Sequence, residues 1–227
     1  MNIVLHEPGI ALNTGNIGRT CAATNTSLHL IRPYGFHITE KEIRRAGMDY
    51  WDKIDLHEYV DYEDFLIQHP EIGISDSDSV SENVSGSDTS VSSKVIHAEG
   101  SSDSEIASSP KHAVCGSQAE DSSREDDTAR GAKDRHPRLW FATTKARQCY
   151  TDVSFGPDDY IMLGNESRGI PEEILVKHPD TCIRIPMWGD IRSLNLANSA
   201  AIILYEALRQ NGFRYMAKQG NLHRLSW

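Results

Sequence analysis

Three polar segments of this chain combine glycines, amides and charged side chains in a way that could carry chemistry. They are Asn13-Thr14-Gly15-Asn16-Ile17-Gly18-Arg19-Thr20, Leu163–Pro171 and Ile183–Ser199. Glycines let a backbone approach a ligand closely, amides and hydroxyls orient it, and a cation stabilises developing negative charge. All three follow a short apolar run, and ligands of α/β proteins bind beyond the carboxyl ends of such strands.

The first segment predicts a turn between a strand and a helix. An Asn/Gly-rich turn would place Arg19 in the first turn of a helix around Ile17–Thr24, where its charge opposes the helix dipole. An arginine at such a position often meets a phosphate or a developing negative charge. The alternatives are a plain turn with a solvated arginine, and a dinucleotide site, which the spacing does not favour because it is not GxGxxG.

The second segment holds Gly164, Glu166 and Gly169 between a buried-looking strand and a helix. Gly164 would let a ligand lie against the main chain, and Glu166 can accept hydrogen bonds from hydroxyl or amino groups. The alternative is a surface pair of Glu166 and Arg168 in an ordinary loop.

The third segment runs into the most hydrophobic helix of the chain, which we expect to be buried nearly all round. Either Ser193 or Asn195 could cap that helix. One cap does not account for all the polar side chains of this segment, so some of them are expected to bind a ligand.

Short apolar runs that alternate with helical patterns predict an α/β fold with a largely parallel sheet. The predicted strands are Ile3–Leu5, Leu28–Arg32, Leu139–Thr143, Tyr160–Leu163 and Cys182–Ile185. The predicted helices are Ile17–Thr24, Tyr62–Gln68, Pro171–Val176 and Leu196–Gln210.

Residues 75–135 differ in composition from the rest. This Ser/Asp/Glu-rich stretch has 13 acidic and 6 basic residues, a net charge of −7 out of −10, which leaves −3 for the remainder. It has too little apolar surface to offset the entropy of ordering, so we expect a disordered insertion. Residues 1–74 and 136–213 would then form one domain, followed by a tail at 214–227.

Charge, hydropathy and cysteines exclude several classes of protein. No run of about 18 apolar residues could span a membrane, and the N-terminus has no signal or transit pattern. The four cysteines are widely spaced, without the pairing of a zinc site. We expect free thiols, no metal and a cytoplasmic location.

Together the three segments resemble the SpoU branch of the SPOUT methyltransferases. That family has an Asn followed six residues later by an Arg, matched by Asn13 and Arg19. It has a Gly-x-Glu-x-x-Gly loop, matched by the second segment. Its third motif is matched by Ile185-Pro186 and Ser193-Leu194-Asn195. Within the branch, the chain looks most like the short enzymes that 2′-O-methylate nucleotide 34 of leucine tRNAs.

The resemblance implies a SPOUT α/β fold with a C-terminal trefoil knot, S-adenosylmethionine as methyl donor, and a homodimer formed through the knot. Its implied cofactor-binding positions are Ala142, Gly164, Glu166, Ile185, Ser193 and Asn195. Each protomer of the family contributes to both active sites. Tyr205 matches a tyrosine of that interface, and its role could equally be that of a buried aromatic in the dimer core.

Methyl transfer to a ribose hydroxyl needs alignment and stabilisation of a more negative oxygen. The resemblance implies that Arg19 supplies the charge, with Asn13, Ser193 and Tyr205 beside it in the catalytic centre. The expected RNA-binding cations are Arg19, Arg44, Arg45, Lys145, Arg168 and Arg192. The alternatives are a SPOUT enzyme for another tRNA position or for ribosomal RNA, and a non-catalytic RNA-binding protein on the same fold.

Overall fold

Seven short strands form one sheet in a computed structural model that describes residues 1–36, 51–73 and 135–225. The strands are β1 (Asn2–His6), β2 (Ser27–Ile31), β3 (Leu56–Tyr59), β4 (Leu139–Ala142), β5 (Gln148–Cys149), β6 (Tyr160–Leu163) and β7 (Cys182–Arg184). Their order across the sheet is β3-β2-β1-β6-β4-β7-β5, and every pairing between them is parallel. This confirms the predicted α/β class.

Four helices cover the sheet within the described residues. They are α1 (Ala11–Thr24), α2 (Tyr62–Gln68), α3 (Glu172–Leu175) and α4 (Leu196–Gln210), with single 3₁₀ turns at Trp51–Lys53, Pro70–Ile72 and Pro179–Thr181. The described residues belong to one compact unit built from both sides of the gap at 74–134. No helix among them is long and apolar enough to cross a membrane.

Two apolar layers hold the helices on the sheet. Side chains of a strand alternate between its faces, so Ile3 and Leu5 of β1 point to one layer and Val4 to the other. The first layer includes residues of α1 and α4, and the second includes Phe65 of α2 and Leu175 of α3. All four residues of β6 are buried, as expected for a strand covered on both faces.

The predicted boundaries of α2, β6 and α4 are confirmed, but three other local predictions were wrong. The Asn/Gly stretch is not a turn, because α1 begins at Ala11 and contains it. Arg19 therefore lies well inside the helix, and its charge does not oppose a first-turn dipole. Pro171 precedes α3 as its N-cap instead of occupying the first turn.

Tertiary packing explains why α1 forms through residues that disfavour helices. Asn13, Gly15 and Gly18 are all buried in it. A Cβ on Gly18 would come within 2.8 Å of Ile54 Cδ1 and 3.2 Å of the Trp51 ring, so a larger residue would require these side chains to shift. Burial against neighbouring elements outweighs a helix-propensity cost of about 1 kcal/mol for each glycine.

A network of polar rings lies in the second layer, next to the 3₁₀ turn Pro70–Ile72. His29 is 2% exposed, and its Nδ1 is 2.8 Å from the hydroxyl of Tyr59. That hydroxyl is 2.7 Å from Nε2 of His69, whose Nδ1 is 2.8 Å from a carboxylate oxygen of Glu71. Burial, and after it the neighbouring His57 and His69, lower the pKa of His29 to about 3. His29 is therefore uncharged near pH 7.

The described cysteines, Cys21, Cys149 and Cys182, are free thiols, as the sequence predicted. Cys21 packs in the first apolar layer, and burial raises the pKa of its thiol to about 12. It is a packing residue.

Candidate active site

A cavity of about 650 Å³ lies where β4, β6 and β7 end. All three segments singled out in the sequence contribute to its wall. The lining residues are 142–145, 163–170 and 192–196, together with Ile10, Asn13, Ile183, Ile185, Met187, Ser199 and Ile203. The structure thus brings these chain-distant segments together at one cavity.

A chain of hydrogen bonds joins the three segments at one side of this cavity. The amide Nδ2 of Asn13 donates to Oε1 of Glu166 at 3.0 Å, and Oδ1 of Asn13 accepts from Nδ2 of Asn195 at 3.0 Å. Glu166 Oε2 also accepts from the backbone N–H of Gly9 at 2.8 Å. Asn13 is buried, so both halves of its amide need partners and both have them.

Asn195 both closes this chain of hydrogen bonds and starts α4. Its Oδ1 accepts from the backbone N–H groups of Ala197 and Asn198 at 3.0 and 3.3 Å, which makes it the N-cap. Of the two capping candidates, the structure thus selects Asn195. Ser193 is exposed at the cavity wall and makes no hydrogen bond to any other residue in the described ranges, so its hydroxyl faces solvent or a ligand.

The Gly164 loop is closed by its own main chain. A Cβ on Gly164 would lie 2.2 Å from the carbonyl carbon of Gly169 and 2.2 Å from the nitrogen of Ile170. Gly169 itself has a φ of +73°, and its N–H donates to the carbonyl of Asn165 at 2.7 Å. Gly164 is thus required for the approach of one part of the loop to another, and not only for the approach of a ligand.

Asn165 and Glu7 fix this loop on β1, and sequence reasoning missed both. Asn165 Nδ2 donates to the carbonyl of Glu7 at 2.7 Å, and the Glu7 carboxylate accepts from Arg168 Nη2 at 2.7 Å. The alternative of a surface pair between Glu166 and Arg168 is therefore wrong: Arg168 pairs with Glu7, and Glu166 binds Asn13. The position of Glu7 directly after a strand was the only available signal.

Three of the predicted RNA-binding cations lie at the cavity, namely Lys145, Arg168 and Arg192. Lys145 pairs with Glu172 of α3, and Arg168 pairs with Glu7, in both cases through exposed basic side chains. Arg192 is exposed and forms no ion pair with another residue of the described ranges. Exposed ion pairs contribute little, at most about 1 kcal/mol, so all three cations can bind phosphate. Arg44 and Arg45 lie outside the described residues.

Arg19 and Tyr205, by contrast, are not part of this cavity wall. Arg19 belongs to an exposed stripe of α1 formed by Leu12, Asn16, Arg19 and Ala23. An exposed stripe of α4 has the same spacing and consists of Asn198, Ile202, Tyr205 and Arg209. Positions i, i+4, i+7 and i+11 lie on one side of a helix. The expected burial of α4 on nearly all sides is therefore wrong, because this side carries Ile202 and Tyr205 to the surface.

The cavity suits a ligand that is part apolar and part polar. Leu163, Ile183 and Ile203 supply apolar wall, while the loops at 142–145 and 163–170 bring main-chain polar groups. Its volume falls within the roughly 300–1,000 Å³ that is usual for small-molecule sites. Adenosine carrying an amino-acid chain matches these properties, so the residues present fit S-adenosylmethionine. No group of three or more His, Cys, Asp or Glu side chains in the described ranges could hold a metal ion.

Comparison with known families identifies this arrangement. The sequence model of the SpoU rRNA Methylase family matches residues 1–95 and 95–205, which is most of the chain. The chain is a SpoU methylase. The enzymes of this family transfer the methyl group of S-adenosylmethionine, and residues of all three family motifs line the cavity of this SpoU methylase, with Arg19 of the first motif outside its wall.

Relatives cover almost the whole chain. It is 34% identical over 214 residues to the tRNA (cytidine(34)-2'-O)-methyltransferase of Yersinia pestis, a match that spans 94% of this chain and 95% of the relative. A solved structure described under the heading of 2-OH methylation of C/U34 on tRNA is 29% identical, with a TM-score of 0.61 over 94% of this chain and 97% of that one.

A more distant structure carries the cofactor. The SpoU methyltransferase AviRb from Streptomyces viridochromogenes, in complex with AdoMet (S-adenosylmethionine), is 18% identical with a TM-score of 0.58, over 93% of this chain and 57% of that one. At this identity the likeness shows the shared fold. The trefoil knot implied by the family resemblance stays a prediction.

Proposed function

We propose that this SpoU methylase transfers a methyl group to the ribose 2′-hydroxyl of nucleotide 34 in tRNA. The observation that carries the proposal is the meeting of three chain-distant motifs, through Glu166, Asn13 and Asn195, at one cavity with a cationic edge. The relatives with names or titles that specify this nucleotide match the chain over more than nine-tenths of its length.

The residues around the cavity have different roles in holding the cofactor, positioning the loops and orienting the acceptor ribose. S-adenosylmethionine supplies an activated methyl group, and Ala142, Gly164, Glu166, Ile185, Ser193 and Asn195 would hold it. Of these, Glu166 and Asn195 act by keeping the loops in place, because their polar groups are already bonded to Gly9, Asn13 and the start of α4. Ser193 has an unused hydroxyl at the wall and can orient the acceptor ribose.

Arg19 would act in the cavity of a second copy. It is exposed on α1, away from the cavity of its own chain, and a guanidinium is suited to stabilise an oxygen that becomes more negative. The exposed stripes of α1 and α4 include Leu12 at 64% and Tyr205 at 44% exposure. Apolar side chains on two adjacent helices favour a homodimer through these stripes, which would carry Arg19 to the neighbouring site.

The catalytic domain comprises residues 1–74 and 136–213, interrupted by an insertion at 75–135 and followed by a tail at 214–227. The two matched segments of the family meet at residue 95, inside the Ser/Asp-rich stretch, which supports an interruption there. A cytoplasmic location fits a tRNA substrate.

The function is tested with labelled S-adenosylmethionine and bulk tRNA, followed by mapping of 2′-O-methylated nucleotides. We expect label at nucleotide 34, with leucine tRNAs as the first candidates. Label at another tRNA position or in ribosomal RNA would replace the proposed substrate. Tight tRNA binding without any label would instead indicate a non-catalytic RNA-binding protein.

A further inference from the structure

Trp188 is one of the most exposed large side chains in the described ranges, at 94% of its possible surface. It lies in the loop between β7 and α4. Its neighbour Met187 lines the cavity, and so does Arg192, four residues after Trp188. The indole is therefore displayed on the loop that forms one wall of the proposed methyl-transfer site.

The loop conformation keeps this side chain away from the core. Gly189 follows with a φ of +62° and open space where a Cβ would be, so the chain turns directly after Trp188. Within the described ranges Trp188 has no hydrogen-bonding or ring-stacking partner, whereas Trp140 is buried and bonded to Asp159. A tryptophan that contributes this little to the fold has its contact surface available for a partner.

The surroundings of Trp188 indicate what that partner is. Lys145, Arg168 and Arg192 line the cavity to which the Trp188 loop contributes Met187, and these cations favour phosphate groups. A flat aromatic surface beside cations is the combination that binds unpaired nucleotides, because bases stack on aromatic rings while the backbone lies against positive charge. A second copy of the chain is a weaker candidate, since the exposed stripes of α1 and α4 are the proposed self-association surface.

We propose that Trp188 is a stacking platform for a nucleobase of the single-stranded loop that carries the acceptor ribose. This inference rests on the proposed function, since it assigns a specificity contact to that site. Stacking positions the RNA and does not participate in methyl transfer itself. Its loss therefore weakens RNA binding and leaves the bound complex able to react.

Kinetics of three variants test this role. Trp188→Ala should raise the KM for tRNA about 5- to 100-fold, the range that corresponds to the loss of one aromatic stacking contact. The kcat and the affinity for S-adenosylhomocysteine should stay near those of the wild type. Trp188→Phe should recover most of the loss, because a phenyl ring also stacks. Tyr215→Ala is the matched control, since Tyr215 is 98% exposed but lies beyond α4, outside the loop that contributes to the cavity wall.

A double-mutant cycle, in which Trp188 is substituted in the protein and one base is removed from the RNA, identifies the contact directly. Binding of RNA stem-loops, each with one abasic position in the loop, is measured for the wild type and for Trp188→Ala. For one of these RNAs the two proteins should bind equally well, because the ring and its base are each the other's partner. An undiminished difference for every abasic RNA would overturn the inference, as would a change in oligomeric state on substitution of Trp188.

These measurements separate the inference from the proposed function. Wild-type protein that binds the stem-loops but transfers no methyl group would contradict the function, while the binding cycle would still report on Trp188. Normal methylation with an unchanged KM in Trp188→Ala would contradict the stacking role alone.

Discussion

The side-chain amide of Asn195 donates to the side-chain oxygen of Asn13 at 3.0 Å, although 182 residues separate the two in the chain. The other end of the Asn13 amide donates to Glu166, so the direction of its two hydrogen bonds is fixed. Reversal of the amide would place NH₂ against NH₂ and oxygen against carboxylate. This one buried side chain therefore holds α1, the Gly164 loop and the start of α4 in register.

Substitution of Asn13 tests this arrangement. Asn13→Ala should lower the free energy of unfolding by about 1–3 kcal/mol, because it leaves partly buried groups of Glu166 and Asn195 without partners. Asn13→Asp should cost more at neutral pH, since it replaces the donor to Glu166 with a second carboxylate, and acidification should recover part of the loss. Urea unfolding measures both.

Asn16→Ala is the matched control for the Asn13 variants, because Asn16 is an exposed residue of the same helix. It should change the unfolding free energy by less than about 0.5 kcal/mol. Equal costs at the two positions would mean that the hydrogen bonds of Asn13 contribute nothing beyond helix propensity.

Gly164→Ala should abolish cofactor binding. The added methyl group would lie 2.2 Å from backbone atoms of Gly169 and Ile170, which cannot yield as a flexible side chain does, so the loop must open. At Gly169 a Cβ would have open space, but the φ of +73° is strained for alanine. Gly169→Ala should therefore raise the conformational free energy of the loop by only about 1–2 kcal/mol. Calorimetry with S-adenosylhomocysteine distinguishes the two, and intact affinity in Gly164→Ala would show that the loop is not part of the binding site.

Mixing two inactive variants tests whether Arg19 acts across the dimer. Arg19→Ala should lower methylation about 10²–10³-fold with cofactor binding retained, and Arg19→Lys should recover little. Gly164→Ala lacks the cavity but retains Arg19. A heterodimer of the two has one complete site only if Arg19 of one chain serves the cavity of the other.

Equal amounts of these two proteins, dissociated and reassociated, should regain about a quarter of wild-type activity, because half of the dimers are mixed and each has one good site of two. No recovery in demonstrably mixed dimers would place Arg19 in the site of its own chain or in none. Neither protein should gain activity when reassociated alone.

Arg192 should contribute to the salt dependence of tRNA binding. It lines the cavity and has no acidic partner among the described residues, so Arg192→Ala should reduce the slope of log affinity against log salt concentration by about 1. Arg32→Ala is a suitable control, because Arg32 is exposed, pairs with Glu58 and is not a cavity residue. Identical slopes for both variants and the wild type would remove Arg192 from the RNA-binding surface.

Mild acid should destabilise the protein through His29. The folded state lowers the pKa of His29 to about 3, so between about pH 6.5 and pH 3 the unfolded chain binds a proton that the folded chain does not. Stability is therefore complete above pH 6.5 and falls on acidification by up to about 1.4 kcal/mol per pH unit from this group.

Unfolding curves for His29→Gln should have a correspondingly shallower pH dependence, even though the variant starts from a lower stability. His223→Asn, at an exposed position of the tail, is the control and should leave the slope unchanged. A wild-type slope retained in His29→Gln would assign the acid sensitivity to other groups.

Elements with a strong local pattern could be predicted from the sequence. Tyr160–Leu163 is apolar throughout and is followed by glycine, and Leu196–Gln210 is apolar and follows a capping asparagine, so their bounds were predicted correctly. The start of α1 could not be predicted, because Asn13, Gly15 and Asn16 favour a turn locally and only burial against other elements makes them helical.

Some features of the candidate site could likewise be predicted and others could not. The resemblance to the SpoU family assigned the three segments to one site, which residue types alone did not establish. The partners of Glu166 depend on how far α1 is rotated about its axis, and the sequence pattern does not determine this rotation. The exposed side of α4 was also unpredictable, because an apolar helix surface reads the same whether it faces the core of its own chain or a second copy.

The hydrogen bonds of Asn13 also determine when the cavity can form during synthesis on the ribosome. Asn13 is synthesised 153 positions before Glu166 and 182 positions before Asn195. A nascent chain can pair β1 with β2 early, but Asn13 stays without its designated partners until the final helix has emerged. The cofactor cavity is therefore completed only after α4 has been synthesised, and a nascent chain without α4 cannot sequester S-adenosylmethionine there.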